Sequence, residues 1–136
     1  MKRIQERNRM ICAFVMYARL RIADGCFDRL SIYRRIDGIC GNNKALAADL
    51  WAVHEMLLLL SINGDEETLT VVKEIYLNPF GKRTDMKIKK SDVSNIILRF
   101  ATENYMDVRT VYRRLQKAKK LWGVLRNRFV IECKTI

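Results

Sequence analysis

The residues able to do covalent or metal chemistry are few: four cysteines (Cys12, Cys26, Cys40 and Cys133) and a single histidine, His54. A structural zinc site takes four thiolate or imidazole ligands in paired spacing. No CxxC pair occurs here, so no metal is expected. Cys12, Cys26 and Cys40 fall 14 residues apart, yet nothing else repeats with them. They read as small buried thiols, reduced in a cytoplasmic protein. His54 lies in the apolar run LWAVHEMLLLLSI, where a packed imidazole is a simpler account than a catalytic base. No Gly-rich phosphate loop follows a strand, no HExxH occurs and no carboxylate pair stands out. No cofactor and no catalytic residue are expected, and the chain reads as a binding protein rather than an enzyme.

The chemistry that remains is positive charge. The 136 residues carry 26 Lys and Arg against 15 Asp and Glu, a net charge of +11. Residues 1–81 hold 11 basic and 10 acidic side chains, whereas residues 82–136 hold 15 and 5. Almost all the excess therefore sits in the last 55 residues, the electrostatic footprint of a polyanion-binding part, most often nucleic acid. Arg109 to Arg128 includes eight basic residues and no acidic one. A helix built only for solubility mixes signs to gain i,i+4 pairs; this one presents a single sign.

The elements that must position those charges are helical. Nearly half the residues are hydrophobic, with one proline and six glycines, and no run alternates well enough for a strand. The expected fold class is all-α with about six helices: a C-terminal helix-turn-helix packed with an N-terminal helical extension. The helices are predicted over about 3–22, 27–38, 43–62, 65–77, 91–104 and from 108 onward. Ile4, Ile11, Val15, Ala18 and Ile22 share one face of the first, which Asp24-Gly25 ends. Phe27, Leu30, Tyr33 or Arg34, and Ile36 mark the second. The third is apolar almost all round, as a central core helix or a dimer seam is. Asp65, Glu66 and Glu67 suit the dipole at the start of the fourth, and Pro79 and Gly81 stop it. Residues 1–63 are expected to form an N-terminal helical region that builds the core or serves oligomerisation, and residues 64–136 the basic helix-turn-helix region.

No membrane association is expected. The apolar centre Met10–Ala18 is short, has Arg on both sides and precedes no small-residue cleavage site. The run Leu57–Leu60 is too short to span, and Asp49, His54 and Glu55 interrupt it.

Ser91 or Asp92 is expected to cap the fifth helix, with Val93, Ile96, Ile97, Phe100 and Ala101 on its buried side. ENYMD then makes a short turn, and Asp107 sits where the next helix needs its N-cap. Val111, Leu115, Ala118, Trp122 and Leu125 form one buried stripe along the final helix. Arg109, Arg113, Lys117 and Lys120 fall on its far side. Two helices joined this way can set the second in the major groove of double-stranded DNA. Arg109, Thr110 and Arg113, in its first turns, would reach base edges, where an arginine can bond bidentately to guanine. Tyr112, Arg114, Lys117 and Lys120 would lie nearer the phosphates.

FATENYMDVRTVYRRLQKA resembles the common bacterial helix-turn-helix pattern IAEELGMSRRTVYRRLKRA. Phe100-Ala101 stands for its Ile-Ala and Met106-Asp107 for its Met-Ser, and the run from Arg109 to Leu115 is close to the rest. With EETLTVVKEIYL upstream, residues 65–126 are similar to region four of bacterial sigma factors. They are especially like the small phage late-gene transcription regulators of the ArpU/RinA type. The resemblance implies a promoter-bound regulator of phage or prophage origin, with RNA polymerase as a second partner. This sequence departs from the pattern at the turn, with Tyr105 in place of Gly and Asn104 before it. A left-handed residue is cheap as Gly and costly as Tyr, so the turn is expected to shift by a residue or change shape.

Three readings stay open at this level. In the leading one the protein regulates transcription, and a homodimer would read two half-sites about one helical turn apart. In the second it is the DNA-recognition subunit of a phage packaging assembly resembling a small terminase. In the third it is a helical interaction protein whose basic face binds polyanions generically.

Overall fold

A computed structural model describes residues 2–24, 29–77 and 90–135, and the side chains within 9–20, 32–77 and 93–129. The described residues form six helices and no strand; the fold is all-α. In chain order these are α1 (Lys2–Asp24), α2 (Arg29–Cys40), α3 (Lys44–Ile62), α4 (Glu66–Val72), α5 (Lys90–Glu103) and α6 (Val108–Thr135). α4 runs on through one π-helical turn, Lys73–Leu77. The wider turn lets three successive residues, Ile75, Tyr76 and Leu77, all be buried. The stop expected at Pro79-Gly81 lies outside the described residues, as do Phe27 and the side chains of Ile4, Ile22 and Leu30.

Asn43 caps α3, its side chain accepting from the Leu46 amide at 3.1 Å. α3 ends in a left-handed cap at Gly64 (φ 73°), where Gly64 N–H donates to Ser61 O and Asp65 N–H to Leu60 O. Asp65 then caps α4 by accepting from the Thr68 amide at 3.2 Å. α5 begins at Lys90, so Ser91 and Asp92 fall inside its first turn and neither occupies the capping position expected of them.

α3 is the central strut, packed by α1, α2, α4 and α6. At 19 residues and mean hydropathy 1.6 it is long and apolar enough to cross a membrane, which corrects the view that its apolar run is too short. Ala48, Asp49, Leu50, Ala52, Val53, Met56, Leu57 and Leu60 are buried in the bundle. α1 contributes Met10, Phe14, Val15 and Tyr17 to that core, and Phe14 stacks on Tyr76 of the π-turn with ring centroids 5.1 Å apart. α2 turns inward with Ile32, Ile36 and Cys40, at i, i+4 and i+8, and leaves Tyr33 half-buried and Arg34 exposed. Tyr33 packs edge-on against Trp51 and His54, and His54 Nδ1 lies 2.9 Å from Tyr17 Oη.

One apolar cluster runs from Met10 to Leu125. It passes through residues on both sides of position 63 without a break, because α6 packs on α3 as well as on α4 and α5.

Candidate nucleic-acid interface

The α5–α6 turn is built by backbone hydrogen bonds. Asn104 N–H donates to Phe100 O, and Tyr105 N–H to Thr102 O. Met106 N–H closes the cap onto Ala101 O at 2.9 Å. This arrangement requires a left-handed residue at position 105, and Tyr105 supplies it with φ 51°. The turn is not displaced: Tyr105 takes the conformation glycine would take, with its side chain 99% exposed. Asn104 adds a hydrogen bond from its amide nitrogen to Phe100 O at 2.8 Å. Met106 tucks back against the core.

The next residue, Asp107, caps α6, its Oδ1 accepting from the Arg109 amide at 2.9 Å. The carboxylate faces the free amides and the positive end of the helix dipole. Val111, Leu115, Ala118, Trp122 and Leu125 are all buried, which fixes the rotation of the helix. At 100° per residue, that rotation turns Arg109, Arg113, Gln116 and Lys120 outward, and each is exposed. Thr110 is half-buried at the flank and Tyr112 exposed on the other side. Arg109, Tyr112, Arg113, Gln116, Lys117 and Lys120 line one shallow concavity along the helix.

Two of the expected phosphate contacts have partners already. Arg114 pairs with Glu67 at 2.9 Å and Lys117 with Asp65. The hydrogen bond from Lys117 holds the Asp65 carboxyl below its usual range, and the Thr68 amide adds to the effect. The acidic start of α4 thus lies along one flank of α6 and neutralises part of it. Arg109, Arg113 and Lys120 have no ion-pair partner among the described residues.

Further along, the helix is anchored by a carboxylate. Asp49 is 4% exposed and accepts from Nε of Arg9 at 2.7 Å and from Nε of Arg126. Trp122 Nε1 donates to the Asp49 backbone carbonyl at 3.1 Å. α1, α3 and α6 are tied at this one residue.

Sequence reasoning placed the outward face and the cap but missed these pairings. In the sequence the helix dipole alone explains Asp65 and Glu67, and Asp49 only interrupts an apolar run. Their partners lie 40 to 77 residues away in sequence, and nothing local signals them. A buried-side acid on α3 is the one available hint, since such a group is kept only when paired.

Comparison with known proteins finds no matching family model, no similar curated protein and no similar solved structure.

Proposed function

We propose that the chain is a sequence-specific double-stranded DNA-binding transcription regulator of the phage or prophage kind, lying with the first turns of α6 in the major groove. One observation carries the reading. Arg109, Arg113 and Lys120 project from one face of a helix that begins just after a tight interhelical turn. That face contains no acidic residue. A groove about 12 Å wide admits one helix, and the half-buried Thr110 flanks the same first turns. Arg109 and Arg113 are the base readers. Lys120 and Tyr112 serve the phosphates, while Arg114 and Lys117 do so only in exchange for Glu67 and Asp65. The similarity to sigma factor region four adds promoter DNA as the target and RNA polymerase as the further partner.

The test is selection of bound sequences from a random duplex pool at physiological salt, with Arg113→Ala beside the wild-type chain. The wild type should enrich one motif. Arg113→Ala should relax one base position of that motif, with a loss of about 1–3 kcal/mol at the preferred base. Equal, salt-sensitive binding of every sequence by both proteins would leave only a generic polyanion surface.

A further inference from the structure

α6 is 28 residues long, about 42 Å at 1.5 Å per residue. A helix crossing a groove about 12 Å wide leaves the base edges well before its end. Lys119 and Lys120 follow Arg109 by about 15–17 Å of helix rise, and Arg126 by about 26 Å. There Arg9 of α1 reaches toward α6 through its contact with Asp49, and a groove of about 640 Å³ opens beside it, with Arg9, Lys119, Lys120 and Arg126 among its walls and Gln116 and Asn127 beside them.

The Asp49 contact gives this groove its chemistry. Both arginines spend Nε on the carboxylate, so their terminal amino groups are uncommitted among the described contacts. One buried carboxylate against two guanidiniums leaves an excess positive charge at the groove. Both arginines are held in place, so little side-chain freedom is lost when an anion docks. Lys119 and Lys120 add two ammonium groups that have no ion-pair partner among the described residues. Planar N–H donors held beside ammonium groups suit a tetrahedral oxyanion.

We propose that the groove between α1 and α6 binds phosphate groups of the DNA backbone outside the bases read by α6, so that Arg9 brings the N-terminal region onto the duplex. This inference rests on the DNA-binding reading above. The groove adjoins the first concavity and shares Gln116 and Lys120 with it, which favours the duplex over a free phosphorylated molecule.

The experiment uses the full chain and its selected duplex, with affinity measured by fluorescence anisotropy from 100 to 300 mM salt. The variants are Lys119→Gln, which leaves the Asp49 contact intact, and Arg9→Gln, checked for its helical spectrum. Each phosphate contact contributes about 0.9 to the slope of log affinity against log salt. Each variant should therefore lower the slope by about that amount, so its affinity falls about 2.7-fold less across the range. The selected motif should not change, and the hydroxyl-radical footprint should shorten on one side. An unchanged slope and footprint in both variants would overturn the inference, while a motif still relaxed by Arg113→Ala would leave the DNA-binding reading standing. Inorganic triphosphate is the second probe. Tight, Arg9-dependent binding of triphosphate with an unaltered DNA slope would assign the groove to a free phosphorylated ligand and also overturn the inference.

Discussion

Asp49→Ala isolates the polar contact that ties α1, α3 and α6. The substitution removes the carboxylate and leaves the backbone carbonyl that accepts from Trp122 Nε1. It strands the Arg126 side chain, 20% exposed, without its counter-ion. Breaking a buried pair by deleting one partner costs about 3–5 kcal/mol. Arg9 is 42% exposed; solvent screens it, and its pair adds at most about 0.5–1 kcal/mol. A loss of roughly 3–4 kcal/mol follows, at the lower end because Arg126 can still reach water. With an unfolding entropy of about 2.1 cal/mol/K per residue over 136 residues, each kcal/mol corresponds to about 3.5 °C. The expected fall in Tm is therefore about 10–14 °C.

The assay is thermal unfolding followed by circular dichroism, completed as a double-mutant cycle with Arg126→Met. If the cost is the stranded charge, Asp49→Ala should be much milder in the Arg126→Met background, with a coupling of about 2 kcal/mol or more. A Tm change below about 3 °C, or equal losses in both backgrounds, would refute the reasoning. Asp49 would then be a solvated residue whose arginines have other partners.

Other outcomes follow from the turn and from α4. Tyr105→Gly should stabilise the chain by about 0.5–1 kcal/mol, since the left-handed conformation costs a side-chain-bearing residue about 1–2 kcal/mol and the freer unfolded chain returns about 0.4–1 kcal/mol. Tyr105→Val should destabilise it instead, because a β-branched residue tolerates positive φ worst; urea midpoints decide, and a loss in the Gly variant would remove the strain assignment. The lowered Asp65 carboxyl contributes stability that is fully present above its unfolded value near pH 4 and disappears as pH falls through its lower folded value. Tm measured from pH 6 downward should accordingly fall less steeply below about pH 4 for Asp65→Asn than for the wild type, and parallel curves would show that the Lys117 contact makes no difference.

The parts visible in the sequence were those fixed by local periodicity. Five apolar residues at spacings of 4, 3, 4 and 3 set the rotation of α6, and all five are buried. The position of Asp107 before that stripe located its cap for the same reason. In α2 Ile36 is buried as its pattern predicts, but Tyr33 is half-buried and Arg34 exposed, and docking onto α3 instead brings in Ile32 and Cys40. Position 105 was misjudged because backbone preference argues against a left-handed tyrosine. Four hydrogen-bonding groups around the turn outweigh that preference, at a cost of about 1–2 kcal/mol. The ion pairs were out of reach altogether, since charge composition states how many partners exist but not which helices meet.

The charge divide between residues 1–81 and 82–136 suggests two parts, and one apolar cluster joins residues from both sides of position 64. The link there is a three-residue turn, with Asp65 N–H bonded back to Leu60 O while the Asp65 side chain caps α4. The apolar stripe of α6 has two destinations. The helix that carries it packs on α4 and α5, and Trp122 reaches α3 at Asp49. Severing the chain at 64 would expose the later half of that stripe and leave Arg126 without its carboxylate. The face read as DNA-binding therefore depends on helices that carry little net charge, because they hold the far end of α6 in place.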